Sequence, residues 1–549
     1  MYNKDVNIYI KGDTFMKKIM SIILCIAILF TVPITAFAAE GVTYYIDSVN
    51  GDDSASGNSP SNAWKTTANI EALDLQAGDK VLFKRDGIYE CTIELTCSGT
   101  EENPILISAY GEGARPILMT NEHDAVMKLF DCDYVTVSEL EMTAHNGGGI
   151  WVDGVTKASY GVTVENVIMH DMQNYKVTTR DNFTNGPISG RAGIVIKRYG
   201  SSAYPVNDFK AINCEIYDTG NGIFVTGQPE LCKNLLIEGC YFHDMDAEAV
   251  VLEGCDGALV DNCRAINCCQ GEGVDENGKV LYYIAAMWFH YSKNSTFRNC
   301  EIAGQRNIGD GMTVDFDHHS YGCTYEYIYS HDNMRFMVDN SKEDAPNYDN
   351  TVRFCLSVND NVAGSNNNFS NDNVEYNLKF HNNTIIGSCD FSFRHSQNSL
   401  IANNIFVFQD NRRIKFNRDE LKDLTTTFTN NCYYNIKNPI VEKDALNLDP
   451  GFASDDINDP NSFKLSKSSP LIGAGIEVEG SEKDFYGNKI ESNNIGCYCG
   501  TGTDTEYEEE SGFKAFFRRF KYIFDYVYRY LSDEFQRLSK KFLKWLGLR

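Results

Sequence analysis

Nine stretches of this chain repeat one short theme, and that theme dictates how the chain can be wound. Counted from Gly161, Asp208, Asn234, Gly257, Asn294, Gly322, Asn350, Asn377 and Asn398, each opens with a short run of alternating apolar and polar residues. Most runs end on a two-residue turn: Asn166-Val167, Asn213-Cys214, Gly239-Cys240, Asn262-Cys263, Asn299-Cys300, Phe354-Cys355, Asn382-Asn383 and Asn403-Asn404. Alternation is the mark of a strand with one buried face. Asn tolerates left-handed backbone geometry, so each pair bends the chain sharply between two strands. One bend at the same place in every repeat makes the chain coil upon itself.

Two further columns follow each turn. His170-Asp171, Asp218, His243-Asp244, Asn267, His331-Asp332 and Asn359-Asp360 recur after the next strand. Their recurrence predicts a corner ladder of side-chain hydrogen bonds rather than a catalytic His-Asp pair. The third column holds Ile150 to Asp153, Ile194 to Lys197, Ile223 to Thr226, Val250 to Glu253, Met287 to His290, Met312 to Asp315 and Phe336 to Asp339. Alternation places the first and third members inward. The second members, Trp151, Val195, Phe224, Val251, Trp288, Thr313 and Met337, form an outward stripe. The fourth members, Asp153, Lys197, Thr226, Glu253, His290, Asp315 and Asp339, form a stripe beside it.

Within that column the stretch from Gly309 to His319 carries the densest charge. Met312, Val314 and Phe316 are read as inward, and Thr313, Asp315 and Asp317 as outward. Asp310 sets the turn before the strand. Stacked strands lie about 4.8 Å apart, so aromatic rings and carboxylates would share one continuous surface. Such a surface suits the face of a sugar ring and its hydroxyls.

Composition bounds the setting. A net charge of −27 excludes nucleic acid as a natural partner. Lys17 and Lys18, the apolar run Ile19 to Val32 and Ala36-Phe37-Ala38 read as a leader and signal peptide over 1–39. Residues 40–130 read as an N-terminal cap and first coils, with a short helix over Trp64 to Leu75, and 131–500 as the coils proper. Asp449 to Phe452, Phe463 to Leu465 and Ser469 to Gly475 read as strands and turns closing the domain. An acidic linker, 501–511, precedes a basic amphipathic helix over 512–549, with ten Lys and Arg against Asp525, Asp533 and Glu534. Of the 18 cysteines, Cys214, Cys240, Cys263, Cys300 and Cys355 fall at one place in successive coils, which predicts a stack of buried thiols.

The Asn-turn repeats resemble the right-handed parallel β-helix superfamily, whose members include pectate lyases, polygalacturonases and other glycoside hydrolases. Three stretches carry the resemblance: Tyr44 to Asp53 with Leu75 to Val81; Asp310-Gly311 to Asp317 with Ser330-His331-Asp332-Asn333; and Ser469-Pro470-Leu471-Ile472. The central one is similar to β-helical glycosidases of the xylanase and fucosidase type. The resemblance implies an all-β, single right-handed parallel β-helix, capped at its N-terminal end, with a C-terminal α-helix apart from it.

Three functions compete. A glycoside hydrolase needs two carboxyl groups at a glycosidic oxygen. Asp315 and Asp339 are the expected pair, with Asp317 and Glu253 as alternatives, His290 between them and Asp310 also a candidate. Trp151, Phe224, Trp288, Asp153, Lys197 and Arg335 are the expected substrate-binding residues. A polysaccharide lyase would instead use Lys197 as base, a cation such as Arg335, and calcium against a uronate. A non-catalytic glycan-binding protein needs only the aromatic stripe and the basic tail. The hydrolase reading requires no cofactor or metal. It expects a secreted monomer acting on plant or host polysaccharides, held at the membrane or cell envelope where residues 512–549 find an anionic surface.

Overall fold

The computed structural model describes residues 41–504, apart from 122–124, 146, 173–190, 197–203, 227–229, 271–283, 308–309, 342–343, 361–366, 369–374, 388–390, 393–395, 409–413, 416–424, 437–438, 440–441 and 443. The leader, most of the acidic linker and the basic tail lie outside the described residues. So does Lys197.

Short strands joined by sharp turns wind into three long sheets. The first has fourteen strands, from Thr43–Ile46 to Thr427–Thr429. The second has thirteen, from Ile88–Glu90 to Cys432–Tyr434, and the third nine, from Ile93–Leu95 to Arg335–Asn340. The chain visits the three in turn, and each visit pairs in parallel with the coil before. Lys210–Ile212 lies between Thr163–Glu165 and Leu236–Glu238 in the first sheet. Glu215–Tyr217 lies between Ile168–His170 and Tyr241–His243 in the second. Asn221–Thr226 lies between Ala192–Ile196 and Val250–Glu253 in the third.

The turn residues explain the winding. Asn213, Gly239, Asn262 and Asn299 have φ of 51°, 65°, 53° and 53°, in the left-handed region. Each donates its backbone N–H to a carbonyl one coil on: Glu238, Asp261, Arg298 and Glu326 respectively. The turns therefore stack. At the repeat counted from Asn350 the left-handed residue is its neighbour Asp349, with φ 58°.

Inside, Val, Ile, Leu, Phe and Met from all three sheets make one continuous core. The sixteen described cysteines are buried free thiols. Cys214, Cys240 and Cys263 each direct Sγ at a carbonyl one coil back, on Val164, Ala211 and Ile237. Cys497 and Cys499 are likewise unbridged.

Two expectations are corrected. Trp64 to Leu75 is a series of bends and turns, not a helix; the local regular element is a 3-10 turn at Pro60–Asn62. Ile70 and Leu75 are pulled into the coil's core, which overrides the helical spacing. The closing segment does not extend the coils, whose sheets end at Cys432–Tyr434. Instead Phe463, Leu465, Leu471, Ile495 and Cys497 pack on Leu356, Val358, Ile386, Ile405 and Val407, the outer face of the second sheet. Asn382, Asn403 and Asn430, turn residues of successive coils, donate their side-chain amides to the carbonyls of Asn494, Ile476 and Ala474.

Candidate active site

The outer face of the third sheet gathers the charged and aromatic residues singled out above, but in a different register. Phe289 pairs with Phe316, so Trp288 lies beside Asp315 and His290 beside Asp317. One outward column is therefore Trp151, Val195, Phe224, Val251, Trp288, Asp315 and Val338. The next runs Thr226, Glu253, His290 and Asp317. Trp151, Phe224 and Trp288 are half-buried, whereas Val195 and Val251 are covered. The aromatics are thus separate islands rather than an open stripe.

Asp315 and Asp339 do not form the expected pair. Asp315 points outward between two core residues and is only 3 % exposed. Asp339 pairs with Phe316, a core position, and is 1 % exposed. Its carboxylate accepts from Ser341 N–H at 2.8 Å and from the Asn347 amide at 3.0 Å, and the same Asn347 amide bonds the Phe316 carbonyl. The two acids lie on opposite sides of one wall. The cause is local: after Arg335 this strand carries two consecutive inward residues, Phe336 and Met337, which inverts the alternation after them. Thr313 is corrected likewise, its hydroxyl meeting Ser330 at 2.7 Å and Asn333 at 3.0 Å, both buried. Met312 is on the outside, packed with Ala285, Val338 and Trp288. Asp153 is fully buried and offers no surface to a ligand.

Residues just before these strands complete the face. Asp310 is held by its backbone N–H to the Asn307 side chain at 2.9 Å. Arg335 Nη1 stands 3.5 Å from Asp310 Oδ1. Burial raises the Asp310 pKa to about 7; Arg335 opposes the rise and the charge of Asp317 adds to it. Glu248, overlooked in the sequence, is 2 % exposed, and burial, reinforced by the charge of Asp310, raises its pKa to about 8. Its Oε2 has no hydrogen-bond partner, nor has the Trp288 indole N–H. Its backbone N–H takes the Asn221 side chain at 3.1 Å. Glu248 and Asp310 both bear on the buried Cys269 thiol, so they share one neighbourhood. Two carboxyl groups that hold protons near neutrality, beside a third carboxylate, are the raw material of acid catalysis.

The His-Asp column is a ladder. His170, His243 and His331 each bond the next Asp through Nδ1 and a Glu one coil back through Nε2, at 2.8 to 3.3 Å. Burial works against the charge on His331, but Asp332 and Glu301 outweigh it and raise its pKa to about 9. Both ring nitrogens are spent on structure.

A model of the right-handed β-helix region matches residues 182–334. This chain is a right-handed parallel β-helix. It is 24% identical to a lacto-N-biosidase of Bifidobacterium longum subsp. longum over 77% of this chain and 33% of that protein. The β-helix thus spans about a third of the length of that curated relative. Among solved structures it resembles the GH136 lacto-N-biosidase of Eubacterium ramulus, with TM-score 0.52 and 20% identity over 72% of this chain and 68% of that one. A xylose complex of XylC is 12% identical over 83% of this chain and 98% of that one, with TM-score 0.49.

Proposed function

We propose that this β-helix is a glycoside hydrolase and that Asp310 and Asp317 are its working acids. The observation that carries the reading is Asp310 itself: a largely covered carboxyl on the outer face of the third sheet, 13 % exposed, its pKa raised to about 7, with Arg335 beside it and the charge of Asp317 within reach. A group poised near neutrality is well matched to protonate a departing glycosidic oxygen. Asp317 is the partner carboxylate that faces the anomeric centre as positive charge develops there. Trp288, half-buried, offers a ring face to a sugar.

The name of the Bifidobacterium relative supports a substrate class: glycans from which lacto-N-biose is released. The leader read from the sequence supports action outside the cell. The test is hydrolysis of a chromogenic aryl lacto-N-bioside by the intact chain. Asp310→Asn and Asp317→Asn should each lower kcat by about 100-fold or more, as loss of an acid or nucleophile does, with unchanged circular dichroism. Turnover within a few-fold of the parent in both variants would refute the assignment.

A further inference from the structure

The column beside the aromatic islands holds a second arrangement that hydrolysis does not require. Glu253, His290 and Asp317 sit on three successive strands in register, and His318 follows Asp317. One ligand atom each from His290, Asp317 and His318 lies within 4.8 Å of the others. Two features separate these imidazoles from the ladder histidines. The Nε2 atom of His318 is shielded from solvent and has no hydrogen-bond partner. His318 Nδ1 contacts Asp317 Oδ1, so an imidazole nitrogen and a carboxylate oxygen already meet there. His290 Nδ1 stands 3.9 Å from Glu253 Oε2, beyond hydrogen-bond length. The rings of His290 and His318 are 5.6 Å apart at an angle of 67°, converging rather than stacked.

We propose that His290, Asp317 and His318 form a binding site for a divalent transition metal, and that Zn2+ there stops hydrolysis by engaging Asp317. The second part rests on the role given to Asp317 above. Two imidazoles and one carboxylate are a donor set for zinc-like ions rather than for calcium or magnesium, which take oxygen. Zinc–nitrogen and zinc–oxygen bonds of about 2.0–2.2 Å need only small side-chain shifts to draw such a cluster together. Glu253 or water completes the shell. The buried thiols do not compete, since burial raises the pKa of many of them, including Cys323 and Cys355 to about 12, and thiols bind metals as thiolates. A carboxylate bound to zinc is no longer available to an anomeric carbon.

The experiment is equilibrium dialysis of chelator-treated, full-length protein against Zn2+, paired with the aryl glycoside assay. The parent and D310N should bind one Zn2+ per chain alike. H290Q/H318Q should bind at least about 100-fold more weakly, since two ligands are lost; if it fails to fold, H318Q alone carries the test with about a 10-fold loss. Parent turnover should fall as Zn2+ binds and return with EDTA. Zinc affinity retained in the histidine variants overturns the site. Zinc binding that leaves turnover intact overturns its inhibitory role. Zinc bound as expected by a parent with no glycosidase activity upholds the site while removing the proposed function.

Discussion

Glu248→Gln tests the electrostatics of this face without touching its shape. A glutamine copies the protonated acid but cannot ionise. In the folded chain Glu248 holds its proton up to about pH 8, against an ordinary value of 4.5. The native state therefore binds the proton more tightly than the unfolded state. Its contribution to stability is complete below about pH 4.5 and is lost as pH rises to about 8. A pKa raised by one unit corresponds to about 1.4 kcal/mol, so the parent should be weaker than Glu248→Gln by about 3–5 kcal/mol at pH 9, and nearly equal to it at pH 4.5. With an unfolding entropy of about 2 cal/mol/K per residue over a domain of this size, 1 kcal/mol moves Tm by roughly 1 °C. The variant should melt about 3–5 °C above the parent at pH 9. Thermal unfolding by circular dichroism at pH 5, 7 and 9 reads the difference, and titrating groups that do not feel Glu248 cancel. A Tm difference that stays constant from pH 5 to 9 would show that Glu248 ionises normally and that the face is wetter than its burial implies.

Three other outcomes are expected. On a confirmed substrate, kcat/KM should fall about tenfold per pH unit above pH 7, because the proton on Asp310 is lost there; a rate still rising at pH 9 contradicts Asp310 as the acid. Asp339→Asn should keep turnover within about 3-fold of the parent, since its carboxyl faces the core and its hydrogen bonds suit an amide oxygen; a 100-fold loss in a folded variant would return Asp339 to the site. Asn299→Ala places an ordinary side chain at φ 53° and should cost about 1–2 kcal/mol, whereas Asn299→Gly should recover part of it. Equal melting temperatures for the two would argue against strain at that turn.

The coils were legible because their cause is local. An Asn or Gly that must turn left-handed, followed by two or three alternating residues, is written in consecutive letters, as at Asn262 and Asn299. The site was less legible because it depends on register between coils. Setting Met312 against Met287 rather than Ala285 is a slip of two residues. Such a slip keeps Asp315 and Asp317 on their expected face, so alternation cannot detect it. It set Asp315 in the column of His290, whereas the folded chain holds it beside Trp288. Phe336 and Met337 add a slip of one, which turned Asp339 inward. Glu248 had no pattern to announce it: its neighbours across the strands are Asn221, Ala285 and Met312, unlike in kind. Only burial, a property of the folded face, distinguishes it. Asp310 and Asp317 both stood in the legible stretch, yet nothing in the letters shows that the charge of one reaches the other.

The closing segment changes how this solenoid answers to force. A bare stack of coils touches only its neighbours and peels from its end one layer at a time. Here the chain after residue 446 runs back along the outer wall and fastens to the corners at Tyr327, Phe354, Asn382, Asn403 and Asn430. A pull on the tail loads this strap in shear, across several corners at once, before it reaches any single rung. The last coils must then give way together, so tension applied at the C-terminal end is borne by the strap and kept from the face that carries Asp310.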